Sequence, residues 1–346
     1  MSASMDLCLP GLVRTAVQCR ATVVEHEQMA RNTWRLRLAC PDIARQILPG
    51  QFFMVRLPGR SDPLLGRPFA LYDIYCDEPT NGEAAQPRGL DFGYVVVGKM
   101  TTQLESLVPG DEVELWGPLG NGFPAPPSGH LVIVAGGIGQ TPFLAVIREA
   151  LRRQVYGQPP RELAHVPSRI TLCYGVRSAE YLAGVDEFRR EGIDVRIATD
   201  DGSVGHHGFV TDLLKQLLPL PPSPRRGGPG KGADQELAVE CSSAPLPNSP
   251  RRGEGTNADA TVAAQIANAA PLTVYCCGPE PLMHAVAKLT DAANVPCLLS
   301  LETPMACGFG ACFSCVTKVK QDDGSWDYRR VCVEGPVFPA RQLVFE

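Results

Sequence analysis

The chain has 346 residues, enough for two or three domains with cores of ordinary size, and its 44% hydrophobic and 20% charged content is that of a globular protein. A net charge of -5 without a basic face argues against nucleic acid or an anionic membrane as partner, since both call for clustered Lys and Arg. Thirteen cysteines, odd in number and mostly scattered, do not make a disulfide framework, and no charged leader with an apolar core opens the chain, so the expectation is a reducing, cytoplasmic setting.

From about Val13 to Pro118 the sequence reads as short strands: Ala21 to Glu25, the alternating Trp34 to Leu38, Phe52 to Leu57, Phe69 to Tyr75, Phe92 to Val97 and Val113 to Trp116. Roughly six strands of period two, with one short helix from Thr101 to Leu107 capped by its threonine, predict a closed antiparallel barrel over 13–128. Within it, Arg67-Pro68-Phe69-Ala70-Leu71-Tyr72 places proline on a strand, where it is unwelcome unless the strand is an edge. An arginine fork and fixed backbone there suit a pyrophosphate, with Tyr72 covering an aromatic ring; an edge strand with a surface arginine is the plainer alternative.

After Pro126-Pro127-Ser128-Gly129 the pattern becomes strand, glycine turn, helix, and it predicts a parallel α/β domain over 129–301. Strands are expected at Leu131 to Val134, Ile170 to Tyr174, Val195 to Ala198, Val274 to Cys277 and Leu298 to Leu301, and a helix from Pro142 to Arg153. Ala135-Gly136-Gly137-Ile138-Gly139-Gln140-Thr141-Pro142 follows a strand and precedes that helix. Glycines there let a diphosphate approach the amides at a helix N-terminus, although the pattern is not the Rossmann fingerprint and also fits a plain tight turn. Asp200 and Asp201 end another strand, where acids accept from a ribose hydroxyl and repel a 2'-phosphate, or simply form a solvated turn. Tyr275-Cys276-Cys277-Gly278-Pro279-Glu280 closes a further strand, at the edge where such sheets bind ligands.

Pro219 to about Ala260 interrupts this domain. It is rich in Pro, Gly, Ser and Ala and carries an imperfect duplication ending at Gly227 and Gly253, which reads as a tolerated insertion rather than a docking tag.

The last stretch, 302–346, is expected to be a small domain of its own. Cys307, Cys312 and Cys315 stand at C-x4-C-x2-C spacing, with Cys332 distant, the plant-type ligand pattern of a [2Fe-2S] cluster in which each iron takes two sulfurs. Gly308 and Gly310 let such a loop wrap closely. A structural zinc is the alternative, but zinc motifs usually repeat a short Cys pair and the second pair is missing.

Taken in order, these motifs resemble the ferredoxin-NADP reductase superfamily and, within it, the electron-transfer subunits of type B dihydroorotate dehydrogenase. The signatures are Gly117 to Phe123, Asp201-Gly202-Ser203, Gly208 to Asp212, Cys277-Gly278-Pro279, Glu302-x-x-Met305-x-Cys307 and Gly335 to Phe338. The resemblance implies FAD on the barrel, contacted by Arg67, Pro68, Phe69, Ala70, Tyr72, Lys99, Met100 and Thr101. It implies NAD on the α/β domain at Gly136, Gly137, Gly139, Asp201, Gly278 and Pro279, with Cys277 as the catalytic residue near the flavin-nicotinamide contact.

Ala70 stands where relatives carry Ser, and Met100-Thr101 where they carry Gly-Thr, so a flavin hydrogen bond is expected there from backbone or not at all. Flavin makes the set coherent, because nicotinamide exchanges a hydride, a cluster passes single electrons, and FAD does both. The implied partner is an FMN-containing dihydroorotate dehydrogenase catalytic subunit, in a heterotetramer. Rivals are a subunit of a ferredoxin-dependent NAD(P) reductase or sulfide dehydrogenase, or a non-catalytic metal-stabilised module.

Overall fold

The computed structural model describes residues 13, 15–78, 85–219 and 271–345. The insertion expected at 219–260 lies outside them apart from Pro219.

The N-terminal half forms one antiparallel sheet from β1 (Val17–Ala30), β2 (Thr33–Ala39), β3 (Phe52–Arg56), β4 (Arg67–Ala70), β5 (Asp73–Cys76), β6 (Pro87–Val95) and β7 (Glu112–Leu119), in the order β4-β3-β7-β1-β2-β6-β5. Period-two patterning decides which face is buried. In β2, Leu36 and Leu38 are fully buried, while Arg35 and Arg37 point the other way and pair with Glu27 and Glu25 across the β1–β2 ladder.

The single strand expected from Phe69 to Tyr75 is two strands. β4 pairs with β3, then the chain turns at Leu71 and Tyr72, and β5 pairs with β6. The Leu71 amide donates to Gln51 O and the Tyr72 amide to Asp91 O, so this corner spans the two edges and rounds the sheet into a barrel without a continuous ladder between β4 and β5. β4 is therefore an edge strand, which is why Pro68 is tolerated in it.

The helix expected from Thr101 spans Lys99–Glu105 instead. Gly98 is the N-cap, and Thr101 sits a turn inside, its hydroxyl accepting from the Val97 and Gly98 amides at 3.0 Å each. The threonine caps the helix from within rather than from its first position.

The second sheet holds β8 (His130–Gly136), β9 (Arg169–Val176), β10 (Asp194–Thr199), β11 (His206–His207), β12 (Leu272–Cys277) and β13 (Cys297–Ser300), all parallel. All five strands expected there are present. A hairpin of β14 (Val316–Lys320) and β15 (Trp326–Arg330) follows, and β16 (Val337–Pro339) then returns to pair antiparallel with β13. The sheet order is β11-β10-β9-β8-β12-β13-β16. The boundary expected at 302 is thus crossed, because the last strand of the C-terminal stretch completes the sheet of the preceding one.

Three layers meet in shared cores. One cluster of buried side chains joins Met54 and Leu119 of the barrel, Val274 and Leu299 of the parallel sheet, and Met305, Cys315 and Cys332 of the C-terminal stretch. Elsewhere, charge fastens the barrel to the α/β layer: Arg35 reaches Glu187 at 2.6 Å, Tyr72 donates to the same carboxylate, Arg148 pairs with Asp73, and the Tyr156 hydroxyl donates to Asp73 at 2.5 Å. Removing one partner of so enclosed a pair costs several kcal/mol.

Candidate functional site

β8 has β9 on one side and β12 on the other, so the chain reverses direction across the sheet at this point. The carboxyl ends of strands at such a reversal open a crevice that backbone cannot fill, and ligands bind there. Two clefts lie along this line. A cleft of about 850 Å³ runs between barrel and α/β layer, and a second of about 660 Å³ continues from it over the ends of β8, β9 and β10. Val95, Val97, Ile138, Arg177 and Pro279 line both, so the two are neighbours.

The larger cleft brings together most of the residues expected to hold a flavin. Arg67, Pro68, Phe69, Ala70, Lys99, Met100 and Thr101 line it, and Cys277 enters from the end of β12. The Arg67 guanidinium donates to Leu65 O and Gly66 O, which fixes its fork at the edge strand. Cys277 is buried, and burial first, then the nearby Glu302 carboxylate, pushes its thiol pKa well up, with the Ser300 hydroxyl partly opposing this. Glu302 lines the same cleft. It is exposed by surface area, yet the protein atoms around it desolvate its carboxyl and raise its pKa.

Tyr72 does not take part as expected. It is fully buried, and its hydroxyl is held by Glu187 between the layers, because the corner that closes the barrel turns its ring inward. The aromatic side chains that line this cleft are Phe52, Phe69 and Tyr94 instead. Tyr94 is held by a hydrogen bond of 2.8 Å between its hydroxyl and His26 Nε2.

The second cleft takes Gly136 and Gly137 from the glycine turn. Gly137 has φ +55°, and a Cβ added to it would meet nothing within 4 Å, so it is a left-handed residue facing open space beside the next helix, Phe143–Ala150. Gly139 lines neither cleft: a Cβ there would lie 2.4 Å from Cys277 O, so this glycine lets the turn pack on the end of β12 rather than touch a ligand. Of the acidic pair, Asp200 lines the cleft. Asp201, the residue expected to do so, is exposed and bonded within its own turn to the Ser203 amide at 2.9 Å and hydroxyl at 2.6 Å. Gly278, at φ +156°, closes against Gly136, and Pro279 lines both clefts.

Sequence reasoning missed Arg177, Tyr94 and Phe209 as cleft residues. The signal for Arg177 was available, since it directly follows β9 and the carboxyl ends of parallel strands carry the ligand contacts. Nothing in the sequence marks Tyr94 apart from its place on a barrel strand.

From the larger cleft the chain leads straight to the four cysteines. Thr303, Pro304 and Met305 line the cleft, and Cys307 follows two residues later. The Cys312 thiol interacts with that of Cys307, and the Cys332 thiol with that of Cys315 first and then with that of Cys307. Cys312 is exposed and its pKa is lowered to about 6, chiefly by the Ser314 hydroxyl 3.2 Å away; Cys315 and Cys332 are buried. Four thiols so gathered suit a [2Fe-2S] cluster, in which each iron takes two sulfurs.

The loop's shape comes from Gly308 at φ +79°, Gly310 at φ +96° and Phe313 at φ +55°. A Cβ on Gly308 would lie 2.6 Å from Met54 Cγ, so the loop is pressed onto the barrel. Trp116 Nε1 donates to Cys307 O at 2.8 Å, and Arg330 donates to Gly310 O at 3.1 Å while covering the Phe313 ring.

Solved structures share this architecture. An NADH-dependent reduced ferredoxin-NADP oxidoreductase aligns over 94% of this chain and 89% of its own, with a TM-score of 0.64 at 22% identity. The cytochrome P450 reductase of Amycolatopsis aligns over 80% and 66%, with a TM-score of 0.52 at 21% identity. Barrel, parallel sheet and the cleft between them define the ferredoxin-NADP reductase fold, here extended by an iron-sulfur module. Residues 302–344 match the family described as the iron-sulfur cluster binding domain of dihydroorotate dehydrogenase B. The electron transfer subunit of dihydroorotate dehydrogenase B (NAD(+)) from Desulforamulus reducens is 31% identical over 94% of this chain and 98% of its own length, and that of Geobacillus thermodenitrificans gives the same figures. This chain belongs to the family of dihydroorotate dehydrogenase B electron transfer subunits.

Proposed function

We propose that this chain passes electrons from an FMN-bearing catalytic subunit, which oxidises dihydroorotate to orotate, to NAD. The observation that carries the reading is continuity. One line of cavities runs from the cleft over β8 to β10, through the larger cleft, to Met305, two residues before the first cluster cysteine. When bound, FAD supplies a carrier that trades a hydride with nicotinamide and single electrons with a [2Fe-2S] cluster.

The chain's own residues define the surroundings of that exchange. Arg67 offers a fixed cation for a diphosphate, with the helix Lys99–Glu105 facing it across the cleft. Gly137 leaves open backbone for a second diphosphate ahead of the helix Phe143–Ala150. Phe69, Tyr94, Val97 and Met305 make the cleft wall apolar. Cys277, kept as a neutral thiol by burial, stands where the two clefts meet, beside Pro279. Cys307, Cys312, Cys315 and Cys332 supply the thiolates.

The same proposal divides the working units at 13–128, 129–301 and 302–346, with FAD, NAD and the cluster respectively. Assembly with the catalytic subunit as a heterotetramer and residence in the cytoplasm belong to it as well. No described helix is long and apolar enough to cross a membrane.

An anaerobic titration of the purified chain with NADH tests the reading. Flavin absorbance is expected to bleach and the cluster to become reduced in the same titration. A flavin that stays oxidised in excess NADH overturns the proposal.

A further inference from the structure

His26 is a polar side chain on the inward face of the barrel. In the register of β1, β2 and β6 it stands opposite Leu36, and Leu36 stands opposite Phe92; both of these are fully buried, so the pleat sends all three side chains to one face. The next row on that face holds Trp34 and Tyr94, and the His26 ring packs on Trp34 with the centroids 4.8 Å apart. Both ring nitrogens are paired. Nδ1 lies 2.8 Å from Leu107 O, and Nε2 lies 2.8 Å from the Tyr94 hydroxyl.

A carbonyl oxygen only accepts, so the contact with Leu107 puts the imidazole proton on Nδ1 and leaves Nε2 as an acceptor, to which the Tyr94 hydroxyl donates. Burial first, then Glu105, pushes the Tyr94 phenol pKa up, which keeps that proton in place. Among the described residues this is the one hydrogen bond of the hydroxyl. A histidine so satisfied would be an ordinary core residue were it not for where its partners stand. Tyr94 lines the larger cleft and meets Phe69, another of its walls, edge-on with the centroids 6.2 Å apart. Leu107 closes the turn after the helix Lys99–Glu105, whose first three residues line the same cleft. One imidazole thus ties a wall of the cleft to the helix beside it, while His26 itself lines no part of the cleft.

We infer that His26 is a positioning residue for FAD: by taking the Tyr94 hydroxyl into the barrel, it keeps the Tyr94 ring in the cleft wall and the cleft open to the flavin. Without an acceptor at Nε2 a buried hydroxyl is left unpaired, and its route to water runs through the cleft that the ring lines, where the side chain would stand in the place of the ligand. His26 acts through Tyr94 and touches no ligand. This inference rests on FAD occupying the larger cleft.

Release of FAD from the loaded full chain after dilution, followed by the fluorescence of the freed flavin, tests it in a double-mutant cycle. Asparagine carries an amide nitrogen where Nδ1 stands and nothing where Nε2 stands, so His26→Asn keeps the bond to Leu107 O and loses the one to Tyr94. It is expected to speed FAD release roughly tenfold, and by less than about twofold in a Tyr94→Phe background, where no hydroxyl needs a partner. His26→Gln, which brings an amide oxygen to the position of Nε2, is expected to release FAD at the parent rate. An equal acceleration by His26→Asn in both backgrounds, an unchanged release rate in His26→Asn alone, or a His26→Gln variant as fast as His26→Asn overturns the positioning role while leaving FAD as the ligand. A parent chain that takes up no FAD overturns the flavin assignment and this inference together.

Discussion

The cluster loop and the pair of clefts are built on opposite principles. The loop gathers three of its four thiols within nine residues, Cys307 to Cys315, and takes only Cys332 from a distance. The clefts have almost no local content: their walls come from β4, β6, the start of helix Lys99–Glu105, the ends of β8, β9, β10 and β12, and the stretch from Ser300 to Met305. A local site is specified by spacing and supported by whatever it leans on. An assembled site exists only while its two layers keep their relative position, so damage to a remote contact reaches it, whereas the loop fails only at its ligands or its support.

The sharpest separation of the two regions is Cys312→Ser. It is expected to remove the cluster signature and reduce coupling with the catalytic subunit to background, while FAD stays bound and NADH still reduces a dye. Absorbance and electron paramagnetic resonance of the purified variant check the first half. Loss of FAD together with the cluster would break the distinction between local and assembled sites.

Glu187→Ala attacks the clefts from outside. Glu187 accepts from Arg35 at 2.6 Å and from Tyr72, and both side chains of the ion pair are largely buried, so the loss should cost about 3 kcal/mol of stability. NADH affinity should fall while the iron content per folded chain is unchanged. Chemical denaturation and iron analysis measure the two effects.

Gly139→Ala is smaller. Its Cβ would meet Cys277 O at 2.4 Å, an overpacking that costs about 1–3 kcal/mol and forces the glycine turn away from β12. Weaker NADH binding with an intact cluster is expected from equilibrium titration; an unaffected affinity would show that the turn has slack.

Trp116→Phe removes the hydrogen bond from Nε1 to Cys307 O, worth about 1 kcal/mol, together with part of the ring that packs beside Gly66. Faster cluster loss in air is the expected reading, with FAD content constant.

The same contrast explains which features are legible in the sequence. Cysteine spacing exposes the cluster because its ligands are close in sequence, and the five parallel strands and the glycine turn are legible because periodicity and Gly placement are local. Tyr72 lies away from the cleft its motif suggests because the corner at Leu71 and Tyr72 depends on pairing with both β3 and β6, which no stretch of sequence displays by itself. Asp201 and Asp200 are adjacent and chemically alike; only the turn that binds Asp201 to Ser203 decides which of them faces the cleft. β16 is hidden for a related reason. A three-residue strand has too little pattern to announce that it will pair with β13.

The conduit itself is tested most directly by orotate formation. Alone, the chain is expected to reduce a dye with NADH and to form no orotate from dihydroorotate and NAD. Adding the FMN-containing catalytic subunit should create NAD-dependent orotate production. Orotate formed by this chain by itself, or a mixture of the two subunits that never reduces NAD, would contradict the account.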